Sequence, residues 1–455
     1  MKRINIMMRY IPVRNAGAFA CALAALVGML SAADAPKLGF SGVGWVQYGR
    51  IGHSTDTVQN NYNGNSAQNS GAQISVNAEI NEQLMGAVGL GVYEGHALAG
   101  TITGGGRVPV GAGPYLAEAR FTYHIGEKEN PDWQLTGGLF PYNYNSDIKD
   151  LGLYLLRGPV YPGFLVSGFE TKEVLPISNI LGIWLRNNRG MLRSDLLLFS
   201  ETEVKPYFDI SLAYIAQLKL GEGLTFGAGI NLSRLIPSDF KVSHDPFNAE
   251  VETKGDVPNP YRRQFIYVDS SSGAPDTTYL GFDGAKVMFN MAYDPKSAFG
   301  AGSFGPEDLK IYLEAAVIGL NFDKAHTAIY GGLANRTPVT VGFNLPAFGY
   351  LDHISLEVEH YAAKFSDDMY RLSRDNDRPT SPIPYSLNDT LKTFSKDDVK
   401  WALHAAKTIK GHFKVSAQVA NDHYRPGGTV TAPSYEAALT TPKDWYWMTK
   451  IAYFF

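Results

Sequence analysis

Two groups of charged residues are placed where they could act on solutes in a water-filled passage. One group lies in a long connection rich in tyrosine: Asp147, Lys149, Asp150 and Arg157. The other lies on segments of alternating polarity that flank that connection: Glu118, Arg120, Arg186, Arg193 and Asp195. Opposed acids and bases create a transverse field that orders water and selects solutes by charge and dipole. We predict that these nine residues line a constriction. The alternative is that they pair with one another and only keep an interior hydrated.

Motifs for covalent or metal chemistry are missing from the sequence. It holds no Gly-x-Ser-x-Gly elbow, no His-Glu-x-x-His helix motif, no phosphate-binding loop and no paired-cysteine metal site. The 10 histidines are scattered along the chain. We therefore predict that the protein is not an enzyme, with no catalytic residue, no metal and no cofactor.

The charged residues fall on segments whose side chains alternate between apolar and polar, the period of a half-buried strand. Between 115 and 125, for example, Ala119, Phe121 and Tyr123 alternate with Arg120 and Thr122. Lipid offers no hydrogen-bond partners, so a sheet that spans a membrane must close on itself with about ten residues per strand. The segments predicted as strands are 40–50, 72–81, 84–94, 115–125, 133–140, 180–187, 191–201, 207–219, 224–235, 279–293, 309–320, 328–343, 353–361, 399–407, 412–421 and 445–455. The sequence thus predicts an all-β transmembrane antiparallel β-barrel of about sixteen strands, with 14 or 18 as alternatives.

The connections between these segments alternate in length, as in barrels with long external loops and short periplasmic turns. The long connections are 51–71, 95–114, 141–179, 236–278, 362–398 and 422–444. Short ones such as 81–83 and 188–190 separate them, although the turn near 294–308 is longer than usual. This order predicts that both ends of the barrel chain lie on the periplasmic side.

The first 33 residues have the pattern of a secretory signal peptide. Four basic residues precede an apolar stretch from Ala16 to Leu30, which is short for a membrane-spanning helix, and small residues follow. We predict cleavage after Ala33, with an uncleaved anchor helix as the alternative, and a barrel over 34–455. Cleavage would remove the only cysteine, Cys21, and four basic residues, which takes the formal net charge from −4 to −8. That charge argues against a nucleic-acid partner.

The last strand carries a second signal. Ile451, Tyr453 and Phe455 share one face, and Lys450 and Ala452 share the other. The segment resembles the last strand of bacterial outer-membrane barrels, in which a terminal Phe is recognised by the barrel assembly machinery. The resemblance implies that Phe455 is an assembly signal and that the protein is exported to the outer membrane of a Gram-negative-type bacterium, in contact with its lipid.

As an architecture, the whole mature chain resembles the general bacterial porins, whose third loop folds inward to form a constriction. The resemblance implies passive diffusion of small hydrophilic solutes through a polar lumen and a homotrimeric assembly. It also marks 141–179 as the candidate constriction loop. The family motif Pro-Glu-Phe-Gly-Gly is not matched there, and the nearest text is Pro162-Gly163-Phe164.

A transporter and an adhesin or anchor are the two alternatives to a channel. An energy-coupled or hydrophobic-solute transporter needs a plug or hatch before its barrel, and a first strand near Phe40 leaves no room for one. An outer-membrane adhesin or structural anchor would act through the long external loops 236–278 and 362–398, and nothing in the sequence excludes it.

Overall fold

A computed structural model of the chain gives the architecture. It describes residues 36–54, 64, 66–98, 107–127, 131–142, 179–200, 210–236, 264–269, 276–281, 284–299, 302–317, 320, 333–360, 399–421 and 442–455. Within this part of the chain, no helix is long and apolar enough to cross a membrane.

Sixteen antiparallel strands form one closed barrel. Their bounds are β1 Lys37–His53, β2 Ser66–Glu79, β3 Leu84–Leu98, β4 Arg107–Gly126, β5 Pro131–Pro141, β6 Asn179–Arg189, β7 Leu192–Ser200, β8 Ile210–Leu220, β9 Leu224–Ile236, β12 Gly284–Tyr293, β13 Ile311–Val317, β14 Val339–Leu345, β15 His353–His360, β16 Val399–Ile409, β17 Phe413–Ala420 and β18 Trp445–Phe454. Each strand pairs with the next in this order, and β1 pairs with β18, where Val43 lies opposite Phe454. The predicted fold class and strand number are therefore confirmed, and every barrel strand overlaps a predicted segment.

A second, small sheet was not predicted, and the predicted barrel segment 279–293 begins inside it. The strands β10 (Gln264–Asp269) and β11 (Asp276–Gly281) form a separate two-stranded sheet in the connection between β9 and β12. Each strand has six residues and lies among Pro, Asp and Gly residues, so the sequence pattern there is that of a loop.

The alternation along the strands separates an apolar outer face from an inner face that turns toward the lumen. On β18, the side chains of Ile451 and Tyr453 are exposed, whereas those of Lys450 and Ala452 are buried. On β4, Phe121 and Tyr123 are exposed outward. Lipid tails solvate apolar side chains but not charged ones. A membrane-spanning barrel therefore exposes large apolar side chains on its outer face, as this one does.

Aromatic rings packed over glycines hold neighbouring strands close on the inner face. The ring of Trp45 lies over Gly71 on the next strand, and the ring of Tyr312 lies over Gly342. A Cβ at Gly71 would lie 2.2 Å from the Trp45 ring, and a Cβ at Gly342 would lie 2.0 Å from the Tyr312 ring, so neither has room. The glycines therefore provide the space that lets each ring cross to the adjacent strand.

The short turns lie at one end of the barrel, together with Lys37 and Phe455, and we call this the turn end. The connection between β12 and β13 is an ordered unit there. The carboxylate of Asp308 accepts backbone N–H bonds from Gly305 and Phe348, both of 2.9 Å. The ammonium of Lys296 lies 3.0 Å from the carboxylate of Asp294 and also donates to the backbone carbonyl of Asp308. These contacts tie the turn after β12 to the turn after β14.

Candidate functional site

The predicted residues Arg186 and Asp195 form a saturated ion pair on the inner wall. They lie opposite each other on β6 and β7, and the guanidinium binds the carboxylate with two bonds, of 2.8 Å and 3.0 Å. Tyr142 Oη and Trp184 Nε1 donate to the same carboxylate at 2.9 Å and 3.0 Å. The Arg186 guanidinium also lies 4.3 Å from the centre of the Trp184 ring. Four donors occupy the Asp195 oxygens, so this pair holds the wall together and keeps little capacity for a solute.

An apolar cluster surrounds this pair on the lumenal side. Its members are Phe140, Tyr142, Ile180, Leu197, Phe199, Ala213, Ile215, Met288 and Ala316, all buried. The expected lumen is polar, and in this sector the inner wall is apolar instead. Side chains such as Leu197 and Met288 point inward, yet both have 0% exposure. A packed lumenal surface replaces a wetted one here.

The second predicted ion pair is more open. Arg120 Nε donates to Glu118 Oε2 at 2.9 Å on the same strand, and Arg120 Nη1 donates to Thr122 Oγ1 at 3.3 Å. The side chains of Arg120 and Glu118 are 31% and 13% exposed, against 18% and 3% for Arg186 and Asp195. The remaining described wall residue, Arg193, donates to the side chain of Gln217 on β8. The structure thus places five predicted residues on β4, β6 and β7, with β5 between β4 and β6, and four of the five form two separate pairs.

The other four predicted residues, Asp147, Lys149, Asp150 and Arg157, lie outside the described residues. Their role as one side of a constriction stays a prediction.

The sequence did not single out an acidic wall on the far side of the lumen. Glu314, Glu357 and Glu359 are buried on β13 and β15, and Tyr312 donates a 2.8 Å hydrogen bond to Glu357. Register places Thr340 opposite both Glu314 and Glu359. The signal for these residues was present, because on β15 the glutamates alternate with the outward-facing Leu356 and Val358.

A histidine pair lies below the acidic wall toward the turn end. His353 Nε2 and His404 Nδ1 are 2.9 Å apart, and their rings stack with centroids separated by 5.0 Å. Both side chains are buried on the inner wall. The part of the chain that the structure describes holds no group of three or more His, Cys, Asp or Glu placed to bind a metal ion.

The inner wall of β1–β4 at the turn end contrasts with these buried sectors. A cavity of about 330 Å³ opens there, and its lining includes Lys37, Gly39, Asn77, Glu79 and Arg120. Lys37, Gly39 and Asn77 are exposed. Polar side chains of the lumenal wall meet open space here.

Comparison with solved structures returns barrels of known function. Engineered variants of the porin of Rhodopseudomonas blastica align over 92% of this chain and 100% of their own, with 10–11% identity and TM-scores of 0.42 to 0.44. At this identity and TM-score the likeness carries no argument, and the barrel fold rests on the strand order itself. No family model and no curated protein matches the chain.

Proposed function

We propose that this protein is an outer-membrane channel for passive diffusion of small hydrophilic solutes. One observation carries the proposal: a closed ring of sixteen strands has an exposed apolar outer face and an inner face that carries arginine, lysine and glutamate. An apolar outer face suits lipid, and charged groups inside a barrel of this strand number suit a water-filled lumen. Export with cleavage after Ala33, recognition of Phe455 by the assembly machinery and a homotrimeric state belong to the same proposal.

The proposal includes the connection 141–179 as a constriction. Its two stems, Tyr142 and Ile180, are buried in the apolar cluster on the lumenal wall. Apolar side chains that face a lumen filled only with water would be exposed, and a connection folded against Leu197 and Met288 would account for their burial. Asp147, Lys149, Asp150 and Arg157 would then meet the wall residues across the remaining passage.

The channel is tested in planar bilayers. The chain from Asp34 onward is refolded, and its native state is verified by its shift on unheated gel electrophoresis. We expect ohmic single-channel currents that scale with salt concentration. A native, inserted barrel that carries no current would overturn the proposal.

The constriction is tested with a single cysteine, because the chain from Asp34 onward has none of its own. In Arg157→Cys, a bulky thiol reagent should reduce the current strongly if the connection lies in the lumen. The matched control is Gly302→Cys, at an exposed turn position. Equal and negligible reduction in both variants would place the connection outside the passage. The adhesin alternative rests on the connections 236–278 and 362–398, most of which lie outside the described residues, and it stays a prediction.

A further inference from the structure

The cavity on the inner wall of β1–β4 is built by two rows of residues in register at the turn end. In the first row Gly39 lies opposite Asn77, which lies opposite Ala87, which lies opposite Arg120. In the second row Lys37 lies opposite Glu79. We call the set Lys37, Gly39, Asn77, Glu79 and Arg120 the turn-end arc.

Small residues keep the turn-end arc open. A Cβ built at Gly39 meets no atom within 4 Å, whereas a Cβ at Gly342 on the far wall would lie 2.0 Å from the ring of Tyr312. Ala87, in the row of Gly39, also adds little bulk. At Gly71 and Gly342 the missing Cβ makes room for a neighbouring ring, whereas at Gly39 the space is open to a solute.

The charges in the turn-end arc favour an anion. Lys37 is exposed, and no hydrogen bond or ion pair joins it to another described residue. Arg120 uses Nε for Glu118 and Nη1 for Thr122, which leaves Nη2 available. The cavity lining thus contains two cations and one carboxylate, that of Glu79, which has an interaction of its own. Glu118 is adjacent but is held by Arg120.

The acids elsewhere in the described lumen do not reach this surface. Glu314 and Glu359 are on β13 and β15, on the opposite arc of the ring, and both are buried. Asp195 is held by Arg186. At the turn-end arc, open space therefore meets cationic groups that have hydrogen-bond capacity to spare.

We propose that solutes pass along the turn-end arc and that Lys37 and Arg120 bind small carboxylates there. This inference rests on the proposed channel function and names its substrate class. A guanidinium and an ammonium are the groups that hold a carboxylate with charge-assisted hydrogen bonds. A cavity of about 330 Å³ accommodates a dicarboxylate of four carbons with some of its water. Asn77 adds an amide at the same level of the wall.

Succinate is the probe, and succinamide is its uncharged counterpart of the same size. Binding to the refolded barrel is measured by calorimetry, and block of the ion current is measured in planar bilayers. We expect succinate, but not succinamide, to bind and to reduce the current. Lys37→Gln and Arg120→Gln should each weaken succinate binding by about tenfold, because each removes one charge-assisted contact.

Lys219→Gln is the matched control, since Lys219 is an exposed lysine near the turn end of β8, outside the turn-end arc. It should bind succinate as the unaltered protein does. Equal binding of succinate and succinamide, or binding that persists in both Lys37→Gln and Arg120→Gln, would overturn the inference. Because calorimetry needs no current, binding without conductance would reject the channel and keep the carboxylate site. Conductance without binding would reject only the site.

The route is tested separately from the ligand by Gly39→Cys. A negatively charged methanethiosulfonate reagent should react with this cysteine and reduce the current, because the position opens into the cavity. Succinate should protect the cysteine from the reagent. The control is Gly302→Cys, which also has no neighbour within 4 Å but lies in the connection between β12 and β13. Modification of Gly39→Cys that leaves the current unchanged would place the solute route elsewhere in the barrel.

Discussion

Two arginine–carboxylate pairs on the same inner wall differ in how many of their polar atoms are already used. Arg186 and Asp195 lie in an apolar sector and share their contacts with Tyr142 and Trp184. The pair of Arg120 and Glu118 borders an open cavity. A charged side chain inside a barrel can therefore either stabilise the wall or interact with a solute in the passage. Saturation by neighbouring donors, more than position alone, distinguishes the two roles.

The largest expected effect is the loss of the saturated carboxylate. Asp195→Ala leaves the Arg186 charge and two further donors without their acceptor in a buried site. We expect the free energy of unfolding to fall by about 3–5 kcal/mol. Urea unfolding of the barrel in lipid vesicles, followed by tryptophan fluorescence, measures it. The matched variant Glu118→Ala should lose less than about 1 kcal/mol, because that pair is partly hydrated. Equal losses in the two variants would show that the two ion pairs do not differ in what they contribute to stability.

Tyr312→Phe tests a hydrogen-bonded carboxylate, that of Glu357, on the far wall. The substitution keeps the ring over Gly342 and removes only the hydroxyl that donates to Glu357. We expect the free energy of unfolding to fall by about 1.5–3 kcal/mol, the usual range for a hydrogen bond to a charged group. The same urea titration applies. An unchanged midpoint would show that another donor satisfies Glu357 when the tyrosine hydroxyl is gone.

Asp308 is a buried carboxylate at the turn end whose Oδ2 accepts bonds from backbone donors. Burial by itself would raise the pKa of this carboxyl, but backbone N–H bonds from Gly305, Ala347 and Phe348, together with Lys296, lower it overall. A lowered folded-state pKa contributes stability that is complete above the ordinary value of 3.8 and is lost as pH falls through the lowered one. Asp308→Asn should cost about 1 kcal/mol at neutral pH. It should also flatten the loss of stability between neutral and acidic pH. A variant with the same acid dependence as the parent would contradict this assignment.

The smallest effect on stability, and the clearest effect on transport, is expected at Arg120. Arg120→Gln should change the free energy of unfolding by less than about 1 kcal/mol, as for other partly exposed pairs. Under a KCl gradient its reversal potential should shift toward cation preference, because one cation leaves the passage. Arg186→Gln should do the opposite in both respects, with a large loss of stability and little change in selectivity. A selectivity shift confined to Arg186→Gln would reverse the two roles.

The barrel itself could be predicted from the sequence because lipid imposes a repeating demand. Alternation, the order of long and short connections and the face shared by Ile451, Tyr453 and Phe455 all follow from the need to pair every strand and to expose apolar groups. The alternating pattern did not predict strands outside the closed barrel. The sheet of β10 and β11 is not part of the closed barrel, and its short strands lack the alternating signal.

The roles of individual lumenal residues could not be predicted in the same way. Sequence spacing placed Arg186 and Asp195 on adjacent strands, but the donors from Trp184 and Tyr142 depend on packing across three strands. The turn-end arc is open because Gly39 and Ala87 lie in the same row across the strands. That row is known only once the strand register is known. The acidic wall shows in the alternation of β15, but only the register of β13, β14 and β15 brings Glu314 and Glu359 to the same level of the wall.

The pairing of β1 with β18 has a consequence for folding. Gly42, on β1, and Phe455, directly after β18, exchange two backbone hydrogen bonds, of 2.9 Å and 3.0 Å. These partners are far apart in the sequence, and contacts of this kind form late and slowly. Until β18 pairs with β1, both strands present unpaired backbone groups, and such edges are sites of aggregation. The seam between β1 and β18 is therefore the place where an incompletely folded barrel is most open to pairing with another chain.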